Sequence, residues 1–218
     1  MIENKLTIES HVDFKVPIVP RTGNYTGEFV SLSPVILTIE ETIEETTGFF
    51  RNTKRISKRI SQKVGSRGQS CKWLEYFPGA ITNINLGGMD VLTGPMSGCW
   101  VVIYKTKPNG IVHVGHIGTA DNPTSPTTLA VKETWQNFAA ANPNDFIAGF
   151  NPANAWRVPP RPPKSGEMGF KIYGLVTADQ KLYSIFTYIG SRQADNYTRH
   201  SIVGVKEIPR SGLRKLFR

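Results

Sequence analysis

The chain of 218 residues carries a formal net charge of +9, with 15 prolines, 20 glycines, two cysteines and four histidines. That length suits one substantial core and leaves little room for two, so a single domain over residues 1–218 is expected. No run of eighteen apolar residues exists, so no membrane-spanning helix is expected; the start, MIENKLTIES, has no basic segment leading into an apolar one, so no cleaved secretory signal is expected; and two cysteines make no disulfide framework.

Residues 5–38 alternate apolar and polar side chains, as in Leu6-Thr7-Ile8 and Phe14-Lys15-Val16, and are interrupted by Pro20, Gly23 and Gly27. Two or three strands with turns are expected there, followed by a short strand at 35–39, with His11 solvated. Over residues 40–67 the charge reverses, from Glu40, Glu41, Glu44 and Glu45 to Arg51, Lys54, Arg55, Lys58, Arg59, Lys63 and Arg67. Ile56, Ile60 and Val64 recur every four residues, which predicts a helix broken near Gly48, acidic at its start and basic at its end as the helix dipole favours. Seven bases in so short a span suit a grip on nucleic acid, anionic lipid or an acidic protein surface; a solvated helix face is the plain alternative.

Residues 73–86 read as a strand and loop leading into a small-residue turn of Gly94, Pro95, Ser97 and Gly98. That turn delivers Cys99 to an apolar strand at 100–104. Lys107-Pro108-Asn109-Gly110 is a hairpin turn, with Gly110 where the chain goes left-handed, and residues 111–117 return as the second strand. Ser125 before Pro126 is a helix start, and Leu129, Trp135 and Phe138 mark the face of a helix that stops near Asn142-Pro143 and packs under the hairpin. A strand at 146–150 follows, then a proline-rich loop at 151–169, containing Trp156, Arg157 and Arg161, that is expected either to shape substrate access or to serve as a plain connection. A hairpin of 170–176 and 182–189, a strand at 201–208 and a short basic end complete the chain.

With the hairpin turn centred on Pro108 and Asn109, Cys99 lies opposite Gly118 and His116 falls on the same face, one diagonal step away. His113 pairs near Tyr104, about 15 Å back along the strand. A bulge at Gly110 would shift this register by one. His116 is therefore the expected partner of Cys99, with His113 as the alternate. A histidine beside a thiol can take its proton, and N–H groups in a small-residue turn can hold an oxyanion; together these describe acyl transfer through a thioester. Each residue has a plainer reading as well: Cys99 as a small buried hydrophobe, His113 as a satisfied core or edge histidine. Cys71 has no histidine near it in sequence and reads as structural.

Ser97-Gly98-Cys99, followed by a strand, a hairpin turn and a histidine, resembles the active site of the cysteine/histidine glutamine deamidases: the cytotoxic necrotizing factor catalytic domain, the Burkholderia lethal factor and CheD-type deamidases. Met96-Ser97-Gly98-Cys99 is close to the Leu-Ser-Gly-Cys of the toxins, and the context His116-Ile117-Gly118-Thr119 is similar to theirs. In CheD and the lethal factor a threonine six residues before the cysteine completes the site, and Thr93 occupies that offset; it also suits an ordinary turn threonine capping 94–97. The similarity spans about thirty residues.

The resemblance implies a β-rich α+β protein with a central β-sandwich, and counting elements adds two or three flanking helices. It further implies a protein-glutamine deamidase with Cys99 as nucleophile, His116 as base and Thr93 in support. Such a protein would act as a bacterial toxin or effector on a small GTPase or a translation-initiation helicase, exported without a cleaved signal, working in the host cytosol and monomeric. Thioester chemistry of this kind calls for no metal or cofactor. Cys99 is expected to react with iodoacetamide faster than Cys71. Two other classes fit the sequence: a basic nucleic-acid-binding module using the 51–67 segment and the basic C-terminus, and a transglutaminase or protease on the same Cys/His pair.

Overall fold

The computed structural model describes residues 2–8, 10–17, 19–20, 23–47, 52–62, 68–192 and 197–209. In chain order the strands are β1 (His11–Phe14), β2 (Phe29–Ser31), β3 (Val35–Thr47), β4 (Asn52–Ser61), β5 (Gln69–Leu74), β6 (Ile81–Asn85), β7 (Val91–Thr93), β8 (Trp100–Thr106), β9 (Ile111–Ile117), β10 (Phe146–Phe150), β11 (Phe170–Val176), β12 (Leu182–Arg192) and β13 (Thr198–Ile208). Among the described residues the one α-helix is α1 (Pro126–Ala141), joined by 3₁₀ turns at Ile2–Asn4 and Pro152–Ala155. The class is β-rich α+β. In place of a sandwich flanked by two or three helices, eight strands close a barrel in the order β1-β13-β12-β11-β7-β5-β3-β4, and five form a second sheet, β10-β8-β9-β6-β2.

Alternation along the strands creates two cores. Val12, Phe14, Leu37, Ile39, Cys71, Trp73, Leu92, Leu175 and Ile202 fill the barrel, and Ile2 and Leu6 pack into the same cluster. Leu74, Val91, Val176 and Leu182 point out of the barrel onto Ile84, Val101, Ile103 and Val114 of the second sheet. The sheet's far face carries Ile81, Val102, Tyr104 and Ile117, covered by Val131 and Trp135 of α1. Strands β8 and β9 are therefore covered on both faces, which accounts for their nearly continuous apolar runs.

Helix α1 begins as its sequence foretells, with the Ser125 side chain accepting from the Thr128 N–H and Pro126 in the first turn. Its buried face is Thr128, Val131 and Trp135, with Phe138 alongside; Leu129, expected inside, is 53% exposed.

The segment expected as a basic helix is instead the hairpin β3–β4. Ile39 pairs with Ile60 and Ile43 with Ile56 across it. A repeat of four fits two strand periods as well as one helical turn, and the β-branched residues Thr38, Ile39, Thr42, Ile43, Thr46 and Thr47 favour the strand. The register sets Glu40 opposite Arg59, Glu41 opposite Lys58, Glu44 opposite Arg55 and Glu45 opposite Lys54. Four of the seven bases thus stand opposite acids in the register. Gly48, Arg51, Lys63, Val64 and Arg67 lie outside the described residues. His11, expected in solvent, is half-buried on β1 and shares a hydrogen bond with the Ser201 hydroxyl at 3.2 Å.

The proline-rich loop leaves β10 and lies on the outside of the barrel. Trp156 joins Ile172, Phe186, Tyr188 and Val203, and its Nε1–H donates to Ser184 Oγ at 2.7 Å. Arg161 sits over the Tyr188 ring and makes a two-pronged ion pair with Glu167 at 2.7 Å on each arm. Gly204 makes room for this loop, because a Cβ there would fall 2.3 Å from the Trp156 ring.

Candidate active site

Three strands meet where the barrel touches the second sheet. On β7, Leu92 faces the barrel interior, so Val91 and Thr93 face the sheet. The chain then crosses β11 as the turn 94–98, held there by the Met96 N–H donating to Ile172 O at 2.8 Å, and enters β8 at Cys99. Gly94, at φ +140°, lies against Tyr173, where a Cβ would be 2.8 Å from the ring. Ser97 and Gly98 are exposed, so the turn is open to solvent just before the cysteine.

Hairpin β8–β9 keeps an unbroken register from Trp100 opposite Ile117 to Thr106 opposite Ile111, with Gly110 left-handed at φ +63° and no bulge. Extended by one pair, this places Cys99 opposite Gly118. His116, opposite Val101, projects from the same face as Cys99, toward the barrel. His113 is opposite Tyr104, on the face toward α1, stacked on that ring at 5.7 Å. Of the two histidines, the register brings His116 to the cysteine and takes His113 away from it.

Thr93 Oγ1 and His116 Nδ1 share a hydrogen bond of 2.7 Å, joining barrel to sheet. The other ring nitrogen, Nε2, is buried and has no hydrogen-bond partner. Tyr76, on the connection between β5 and β6, lays its ring against the imidazole at a centroid distance of 5.2 Å. Both Thr93 and His116 are fully buried, and Cys99 is 6% exposed. The Cys99 thiol donates to Thr119 O at 3.7 Å and accepts from Thr119 Oγ1 at 3.6 Å, while Tyr76 OH donates to the same carbonyl at 2.7 Å.

Burial drives the imidazole of His116 down to about 3, so it is neutral at physiological pH. Burial also raises the Cys99 thiol, against the lowering effect of its bonds to Thr119. The resting pair is therefore thiol and neutral imidazole, with Nε2 left without a hydrogen-bond partner. Cys71, inside the barrel, is raised further by burial and by Asp90, and both cysteines are free thiols.

A cavity of about 280 Å³ opens beside the cysteine turn, lined by Ser97, Gly98, Trp100, Thr119, Asp121 and Lys132 among others. Sequence reasoning named Cys99, His116 and Thr93 but gave no role to Thr119, Tyr76 or Asn151, whose Nδ2 donates to Gly98 O at 3.2 Å. Thr119 had a signal, three residues after His116 and just past the end of the returning strand; Tyr76 and Asn151 are brought in by tertiary contact. Among the described residues no three His, Cys, Asp or Glu side chains gather in a group that could hold a metal ion. No protein-family model matches the chain, and no curated protein matches it.

Proposed function

We propose that this protein is a cysteine-dependent protein-glutamine deamidase. The observation that carries the reading is the buried Thr93–His116 bond of 2.7 Å, which leaves Nε2 unpartnered on the sheet face that also bears Cys99. With Nδ1–H donating to Thr93, Nε2 is the free base. In the proposed step the Cys99 thiol leaves its bonds to Thr119 and gives its proton to that base.

As Sγ attacks the carboxamide carbon of a substrate glutamine, the thiol proton passes to Nε2, the C–S bond forms and the carbonyl oxygen becomes an oxyanion. The imidazolium returns the proton to the departing nitrogen, and ammonia leaves. Water then attacks the thioester, giving glutamate and restoring the thiol. The dry surroundings that keep both groups neutral at rest favour proton transfer during attack over a standing ion pair.

The short resemblance to deamidase toxins extends this reading to an exported bacterial effector acting in a host cytosol. A net charge of +9 suits an acidic target surface, with a small GTPase or a translation helicase as the first substrates to try. Intact-mass spectrometry of such proteins after incubation tests it. A gain of about one dalton on one glutamine with the wild type, and none with Cys99→Ser, is expected. A larger adduct in the presence of amines would identify a transglutaminase, and no change in any target would count against both.

A further inference from the structure

Resting on that reading, we infer that Asn151 is a positioning residue that sets the oxyanion hole by anchoring the Gly98–Cys99 peptide. Asn151 ends the connection from β10 and caps the 3₁₀ turn Pro152–Ala155, its Oδ1 accepting from the Ala153 N–H at 2.9 Å. That cap decides which way the amide faces: with Oδ1 committed, Nδ2 is the atom turned toward the cysteine turn, and it donates to Gly98 O at 3.2 Å.

In a trans peptide the C=O and the following N–H point in opposite directions. Holding the Gly98 carbonyl toward Asn151 therefore aims the Cys99 N–H away from Asn151, so that the nucleophile's own amide is set for the negative oxygen that forms as Sγ attacks. The anchor matters because a glycine backbone has the widest conformational choice at this point. Gly98 is exposed, and a Cβ on it would meet only Thr119 Oγ1 at 3.8 Å, so packing does not hold the peptide. Met96, further back, has already given its N–H to Ile172. Asn151 is itself held from behind, since Pro152 is buried against the Gly174 backbone and its carbonyl accepts from Ser184 Oγ at 2.7 Å.

Two reactions of the same thiol separate this role from a structural one. Acylation of Cys99 by p-nitrophenyl acetate forms a C–S bond through a tetrahedral oxyanion and expels p-nitrophenolate, the thiol proton going to His116. Alkylation by iodoacetamide forms a C–S bond and expels iodide with no oxyanion. Asn151→Ser keeps a capping oxygen while losing the donor that reaches Gly98, and Asn151→Asp keeps shape and cap with an acceptor where the donor was.

Both variants are expected to slow the acylation burst by about tenfold or more while Asn151→Ser alkylates, at Cys99 by peptide mass, within about twofold of wild type. Acylation at the wild-type rate in Asn151→Ser, or a matching fall in both reactions, would overturn the assignment of Asn151 and leave the Cys99 chemistry standing. A wild-type burst no larger than that of Cys99→Ala would bring down the thioester reading itself, and this inference with it.

Discussion

Two side chains of the same type meet different fates in this protein because of what surrounds each thiol. Cys71 is sealed in the barrel beside Phe14, Trp73 and Leu92, whereas Cys99 sits at a strand end next to exposed Ser97 and Gly98 and accepts a hydrogen bond from Thr119. Iodoacetamide is expected to modify Cys99 ahead of Cys71 in the native protein. Because burial holds the Cys99 thiol above its ordinary value, the rate should climb with pH beyond neutrality instead of levelling off. Peptide mapping across a pH series checks this, and equal labelling of the two thiols would count against an accessible nucleophile. His200 offers a second measurement. It lies buried in the barrel against Phe14 and Tyr173, bonded to Thr187 Oγ1 at 3.1 Å, and burial with the nearby Lys171 depresses it to about 4 despite Asp13. Between about pH 6.5 and 4 the unfolded chain binds a proton at this residue that the folded protein refuses, so stability falls as the pH is lowered through that window. His116, depressed to about 3, acts in the same direction. Each contributes a slope of up to about 1.4 kcal/mol per pH unit. Urea unfolding at pH 7 and pH 5 should show a smaller difference in His200→Gln than in wild type, and an unchanged difference would exclude His200 as a source.

Among the elements, hairpin β8–β9 does most to assemble the site, and its exit is the tightest point. Gly118 bonds through both of its backbone groups to the β5–β6 connection, its N–H donating to Ala80 O at 2.9 Å and its carbonyl accepting from the Gly79 N–H at 2.7 Å. A Cβ at Gly118 would come 2.1 Å from Phe77 O, closer than any packing permits. Gly118→Ala should therefore push the strand end off that connection, moving His116 and Thr119 relative to Cys99 and Tyr76. A displacement of about 1 Å is enough to cost on the order of 10²-fold in rate. The expected result is a folded but less stable protein whose acylation burst is nearly lost, read by circular dichroism and stopped-flow absorbance. Wild-type acylation in Gly118→Ala would mean that the strand end does not position the site.

At the scale of the molecule, the charge of +9 is less concentrated than the sequence suggests. Lys54, Arg55, Lys58 and Arg59 each stand opposite a glutamate on the neighbouring strand, and buried Lys58 reaches back to Lys5 O and to Thr7 Oγ1 at 3.1 Å. A cross-strand register that sets bases opposite acids spreads positive charge less densely for a polyanion than one basic helix face would. Binding to a duplex DNA should accordingly be weak and should change only modestly between about 50 and about 200 mM salt, against the 10³- to 10⁵-fold loss of a protein that grips several phosphates. A steep salt dependence in a filter-binding or anisotropy titration would restore the nucleic-acid reading.

Local patterns in the sequence determined the hairpin of the site, its turn at Gly110, the face shared by Cys99 and His116, and the capped start of α1. Each depends on residues close in the chain: a period of two, a left-handed glycine, a Ser-Pro cap. The 40–61 segment was not legible in the same way, because Ile56 and Ile60 satisfy a strand and a helix equally and only the pairing with Ile39 and Ile43 decides between them. Thr93 was placed by a motif offset, but its bond to His116 exists only because β7 is a barrel strand between β5 and β11 with its outward face against the second sheet. Asn151, Tyr76 and the closure of the barrel likewise come from contacts between distant segments. Such contacts are chosen by which apolar faces can be buried together, a property of the whole set of elements and of no one stretch of chain.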